Sequence, residues 1–180
     1  MRKALYLLGI LNDVDIDWLA ANGSIRVVRA GETLIHEKKP IESLYLLLDG
    51  ELSITVGGPS AQQLAILYPG EIVGEISFVD SRPPSASVTA VRGSKLLMIH
   101  RDVISAKLEK DQAFAARFYR ALAKFLADRL HVTVGRFGYG SAQQDADPDE
   151  LPDSDMDQVD LAAVRIDKLM RRLQSESTAA

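Results

Sequence analysis

The run YPGEIVGEISFVDSRPPSASVTA, from Tyr68 to Ala90, holds the residues best able to do chemistry. Pro69 to Gly74 reads as the end of a strand and a turn. Glu75 to Val79 then reads as one or two turns of helix, stopping before Arg82-Pro83-Pro84. A helix that opens on a glycine presents backbone N–H groups to an anion. Glu75 at that place would repel an anion unless its carboxylate accepts hydrogen bonds from hydroxyl groups. N–H groups for a phosphate, beside a carboxylate for a sugar hydroxyl, are what a ribose-phosphate ligand requires. The same residues also have plainer uses. Gly50, Gly70 and Gly74 suit turns, Glu75 can cap the segment or pair with Arg82, and Ser77, Ser85 and Ser87 can satisfy local backbone groups.

Other chemistries find little support. His36, His100 and His131 are scattered, with no metal-ligand spacing around them. No serine lies in a nucleophile elbow. With no cysteine there is neither a disulfide framework nor a thiolate metal site. Asp145, Asp147, Asp149 and Glu150 imitate the start of a calcium loop. Glu150, however, stands where such a loop needs glycine, and Met156 where it needs a bidentate acid. The sequence therefore predicts no enzyme and no metal.

Charge narrows the partners. Net charge is −4, yet Gln143 to Asp160 holds eight acids and no base, which leaves 17 acids (25 − 8) against 21 bases elsewhere. That mild, scattered basic excess gives no phosphate-tracking stripe, so direct DNA binding is not expected. No apolar stretch approaches the roughly 20 residues of a membrane span. The apolar run from Ala4 to Leu11 is short, is followed by Asn12, Asp13, Asp15 and Asp17, and lacks a small-x-small cleavage site. A cytoplasmic location is expected.

The positioning elements follow from periodicity. Asn12 to Asn22 predicts a short helix capped by Asn12. From Ile25 to Ile99, short apolar runs between turn residues predict strands. Leu44 to Leu48 suits a strand buried on both faces, and Asp49-Gly50 a hairpin turn into Glu51 to Val56. Ser87 to Val91 and Lys95 to Ile99 are expected to pair across Arg92-Gly93-Ser94. Asp111 caps a long helix to about His131, with Phe114, Phe118, Ala121, Leu122, Phe125, Leu126 and Leu130 on its apolar face. That face is core or a dimer seam. Gly135, Gly138, Gly140, Pro148 and Pro152 mark a solvated acidic linker. A last helix is predicted from near Ser154, with Ser154 and Asp157 as a capping box and Val159, Ala162, Ile166, Leu169 and Leu173 as its stripe. The stripe fits docking on its own domain as well as on another chain.

With these residues in view, the chain resembles the cyclic-nucleotide-binding domain family. Gly74-Glu75-Ile76-Ser77-Phe78 and Pro83, Ala86, Ser87, Val88 and Ala90 match the two ends of that family's phosphate-binding cassette. The likeness extends through Arg29 to Ile35 and Leu44 to Leu52, and through Phe118 to Leu130 with its ALA-x-x-LA-x-RL pattern. It implies a mainly β fold, an antiparallel, jelly-roll-like β-roll of about eight strands with a short N-terminal helix and a long C-terminal helix, to which the periodicity adds an extra tail helix. Resemblance and residue pattern together give the expected organisation: a sensor domain at 1–133, then, from composition and periodicity, an acidic linker at 134–156, an amphipathic helix at 157–174 and a disordered end at 175–180.

The resemblance implies ligand contacts at Gly74, Glu75, Ile76, Ser77, Arg82, Ser85, Ala86 and Ser87. The ligand would be cyclic AMP, cyclic GMP or another phosphorylated small molecule, with no covalent cofactor. Pro84 stands where the family carries its phosphate-binding arginine, and Lys38 where it has a turn glycine. Losing one partner of a buried charge pair costs about 2–5 kcal/mol, and Pro83-Pro84 holds Arg82 extended. Two functions follow. One is a regulatory module that senses the ligand and relays it through helix packing. The other is a degenerate module that binds no small ligand and docks a protein partner through the long helix, the linker or the C-terminal helix. A homodimer through the long helix is expected. The 45 or so residues beyond it are too few for the roughly 70-residue helix-turn-helix of related regulators.

Overall fold

The computed structural model describes residues 6–58, 61–136, 161 and 164–173. Two short helices come first, α1 (Tyr6–Ile10) and α2 (Asp13–Asn22). The apolar N-terminal run thus enters a helix, and its end supplies Leu8 and Leu11 to the core. Asn12 caps α2 as predicted: its side chain accepts the Asp15 N–H, and Asp15 accepts the Asn12 N–H, both at 2.9 Å.

Strands β1 (Ser24–Val28), β2 (Thr33–Ile35), β3 (Ser43–Val56), β4 (Gln62–Leu67), β5 (Ile72–Val73) and β6 (Ser87–His100) form one antiparallel sheet. Its order is β1-β6-β3-β4, with β2 on β6 and β5 on β3. There are six strands rather than eight because two expected hairpins are absent. Asp49-Gly50 does not reverse the chain: β3 runs straight through it, paired to β6 from Ser43↔His100 to Thr55↔Ser87. Arg92-Gly93-Ser94 likewise lies inside β6. Register shifts around Asp49 and Glu51 bulge the ladder there. Gly50 has φ +110°, and a Cβ on it would collide with Ser94 Oγ and lie 2.5 Å from Ser94 Cα, so the two long strands touch backbone to backbone at that bend. Counted as two segments each, β3 and β6 restore the expected eight.

The alternation of β3 divides the core. Leu44, Leu46 and Leu48 face the helices, with Leu97, Ile99, Leu19, Ile104, Phe114 and Phe118. Leu47 and Leu52 face the roll interior, with Val28, Ile35, Leu67, Val73, Val88, Ala90 and Leu96. Between β5 and β6 lies α3 (Glu75–Asp80), and after β6 come α4 (Arg101–Lys110) and α5 (Gln112–Arg136). Asp111 caps α5 by accepting the Phe114 N–H at 2.9 Å, and the helix runs past the expected end at His131.

Phe114, Phe118 and Phe125 are buried in this chain's own core, so the aromatic face is not a dimer seam. The reason is simple: the roll's outer face and α1 cover it. Residues 164–173 form a further helix, α6. Its Leu169 and Leu173 are buried against the α1–α2 end of the core, so this part of the stripe docks within the chain. Arg165 donates to the carbonyls of Leu8 (2.6 Å) and Leu11 (2.6 Å), where α1 ends with unpaired acceptors. Val159, Ala162, the Ser154–Asp157 cap, the calcium-like acids, most of the linker and residues 175–180 lie outside the described residues. No described helix is long and apolar enough to cross a membrane.

Candidate ligand site

Gly74 opens the site. It caps α3 with φ +92°, and a Cβ there would meet Ile41 Cδ1 at 2.9 Å and the Ser43 carbonyl at 3.0 Å. Only glycine fits both the backbone conformation and the gap. A small cleft beside it is lined by Ile41, Ser43, Gly74, Phe78 and Arg101.

From that turn, Glu75 points inward and is 2% exposed. Its partner is Arg129 of α5, whose Nη1 donates to Glu75 Oε1 at 2.5 Å. Arg129 Nη2 donates to the Ile72 carbonyl at 3.0 Å, and the guanidinium lies over the Phe125 ring at 4.4 Å. One side chain of α5 therefore grips both sides of Gly74. Burial pushes the Glu75 carboxyl above its ordinary value, and Arg129 holds it partly back. Glu71 is raised for the same main reason, against the Tyr68 N–H it accepts at 2.6 Å and the nearby Arg129 charge.

The far end of α3 is held by a second arginine. Arg101 donates to the carbonyls of Ser77 (3.2 Å) and Phe78 (3.3 Å) and to Ser81 Oγ (2.8 Å). Phe78 is one of the last carbonyls of α3, where helix acceptors lack intrahelical partners, while the Ser77 carbonyl also accepts the Ser81 N–H at 3.1 Å. Both clamps were missed in the sequence. Arg129 had a signal, since it is the arginine of the ALA-x-x-LA-x-RL run; Arg101 had none.

Of the remaining predicted residues, Ser77 is buried, Ile76 is half exposed and Ser85 is exposed. Ala86 and Ser87 are partly buried, and Ser87 Oγ accepts the Glu37 N–H at 3.0 Å. Arg82 does not pair with Glu75. Its side chain is 84% exposed, and its Nε lies 3.5 Å from Asp80 Oδ2. Ser81, at φ +62°, turns the chain outward, and the two prolines keep it extended. The loop between β2 and β3 lies over this half of the cassette, where the Lys38 N–H donates to the Pro84 carbonyl at 2.8 Å. Among the described residues no cluster of His, Asp or Glu could hold a metal ion.

Comparison with known proteins agrees with this geometry. The model of the cyclic nucleotide-binding domain family matches residues 25–111. The Pycsar effector protein XpPycTIR of Xanthomonas perforans is 28% identical over 119 residues, 66% of this chain and 38% of its own. The cyclic AMP receptor protein of Thermus thermophilus is 32% identical over 107 residues, 58% of this chain and 48% of its own. The chain thus spans less than half the length of either relative. A solved cyclic nucleotide-binding domain from Methylobacillus flagellatus superposes with a TM-score of 0.69 at 20% identity, covering 80% of this chain and 85% of that one, a likeness of fold.

Proposed function

We propose that this chain, whose residues 25–111 match the model of the cyclic nucleotide-binding domain family, is a non-enzymatic regulatory module whose cassette takes a cyclic nucleotide or a related phosphorylated small molecule. The proposed contacts are Gly74, Glu75, Ile76 and Ser77 on one side and Ser85, Ala86 and Ser87 on the other. The observation that carries the reading is the Glu75–Arg129 pair. It joins the cassette to α5 through a carboxylate that a sugar hydroxyl would also seek. A ligand that engages Glu75 changes what Arg129 holds, and α5 repacks in response.

The placement of Arg82 favours a second reading. With its guanidinium beside Asp80 and out in solvent, the phosphate would lack that cation. The domain would then bind no small ligand and would act by docking a protein. A homodimer remains part of the proposal, through the exposed face of α5 that carries Tyr119 and Leu130.

Calorimetric titration of the full chain with cyclic AMP, cyclic GMP and cyclic dinucleotides separates the readings. The sensor reading expects saturable binding that Glu75→Gln weakens about tenfold or more, because a hydrogen bond to a charged group contributes about 1.5–3 kcal/mol. Absence of heat at millimolar ligand would leave the docking reading.

A further inference from the structure

The geometry points to Lys38 as the cation that meets the ligand's phosphate, an inference that rests on the sensor reading above. A cyclic nucleotide carries an anionic phosphodiester, and the described cations around the cassette are few. Arg129 holds Glu75 and Ile72, and Arg101 holds the end of α3. Releasing either would free α3. Arg82 follows a left-handed Ser81 and has its backbone N–H on Asp80 Oδ1 at 2.9 Å; its side-chain ion pair with Asp80 is as loose as that of Lys38, so it is backbone placement that sets Arg82 apart.

Lys38 is placed differently. Its backbone N–H is fastened to the carbonyl of Pro84, at 2.8 Å, and the neighbouring Glu37 N–H to Ser87 Oγ, at 3.0 Å. The base of the lysine side chain therefore lies against the cassette's second half. Its ammonium meets Glu37 Oε1 only at 3.5 Å with 86% of the side chain exposed, an ion pair weak enough to be exchanged for a phosphate.

The backbone adds an independent reason. Lys38 has φ +62°, and among the described residues only Ser81 is another non-glycine residue with positive φ. Ser81 lies within the cassette, at the end of α3, and Lys38 in the loop fastened to its second half. Ser81 is accounted for, because it caps α3 and accepts from Arg101. Lys38 sits in a turn, closed by the Lys39 N–H on the His36 carbonyl at 3.2 Å, that glycine would adopt without strain. Strained residues of this kind gather at ligand sites, where the surrounding structure maintains them. A four-carbon arm ending in a charge is what the lysine adds.

The test titrates the full chain and its Lys38→Ala, Lys38→Gly, Lys38→Arg and Arg82→Ala variants with cyclic AMP, cyclic GMP and uncharged adenosine. Lys38→Ala and Lys38→Gly should weaken the cyclic nucleotide that wild type binds by about tenfold or more, the loss of one charge-assisted bond. Adenosine should bind all variants alike, Lys38→Arg should stay within about threefold, and Arg82→Ala should behave as wild type. Lys38→Gly should melt at or above the wild-type temperature, so its weaker binding would not come from unfolding. Wild-type affinity in Lys38→Ala, or a loss confined to Arg82→Ala, would overturn the assignment and leave the sensor reading standing. A wild-type chain that binds neither cyclic nucleotide would remove the sensor reading, and the role of Lys38 with it.

Discussion

Arg129 donates to Glu75 at 2.5 Å across 54 residues of sequence, joining the last long helix to the start of the ligand cassette. The carboxylate is almost fully buried and the arginine a quarter exposed, so the pair is worth much more intact than halved. Arg129→Ala should therefore cost about 3–5 kcal/mol near neutral pH, read by urea denaturation. Wild-type stability in that variant would mean the pair does not hold α3.

The same pair predicts a pH dependence. Burial raises the folded-state value of Glu75 above its ordinary 4.5, so the folded protein holds this proton more tightly than the unfolded chain does. The associated stability is fully present below the ordinary value and is lost as pH rises through the folded one. Glu71 is shifted in the same direction and adds to the slope. Without Arg129 the Glu75 value rises further. The defect of Arg129→Ala should thus be small in acid and grow as pH rises above the ordinary carboxylate range, whereas Glu75→Gln should flatten this part of the profile. Denaturation midpoints measured at several pH values check it; an Arg129→Ala defect that shrinks as pH rises would contradict the burial argument.

The bend of the sheet gives a prediction of backbone strain. Gly50→Ala would drive a Cβ into Ser94 Oγ and place it 2.5 Å from Ser94 Cα, at φ +110°. It should destabilise the fold by more than about 2 kcal/mol. Adding Ser94→Ala should not rescue it, because the clash with the backbone of residue 94 remains. Full rescue by that second change would show that only the hydroxyl was in the way.

How far the sequence could be read is clearest at this bend. The unbroken apolar run from Leu44 to Leu48 correctly gave a strand with two buried faces, and Asn12 and Asp111 correctly marked helix starts. Asp49-Gly50 has the composition of a two-residue hairpin turn, and only the non-local pairing with β6 shows that it is a bulge. Composition cannot separate the two, because both ask for a glycine at positive φ. At the site, the turn at Gly74 was legible because its demand is local. The partner of Glu75 was not, because choosing among arginines requires knowing which helix crosses the cassette.

The C-terminal helix should behave as part of the fold. Arg165 bonds the carbonyls of Leu8 and Leu11, and Leu169 and Leu173 are buried. Arg165→Ala should lower stability by roughly 2–3 kcal/mol, and a chain ended after Arg136 should melt lower than the full chain. A truncated chain of unchanged melting temperature would mean that α6 does not hold the fold and that its stripe is free to dock on another chain.

Self-association should depend on α5 residues outside the aromatic core. Leu130 is 63% exposed and Tyr119 50%, eleven positions apart and so on one side of the helix. Leu130→Asp should convert a dimer to a monomer by light scattering with little change in melting temperature, whereas Phe118→Ala should cost about 3–5 kcal/mol at any concentration. A dimer that survives Leu130→Asp would use another surface.

Hydrogen exchange across α3 and α5, with and without saturating cyclic nucleotide, tests the relay most directly. The account predicts altered protection from Glu75 to Asp80 together with the turns of α5 around Arg129, and loss of the α5 response in Arg129→Ala. Protection changes confined to the cassette, with α5 unmoved in the wild-type chain, would contradict it.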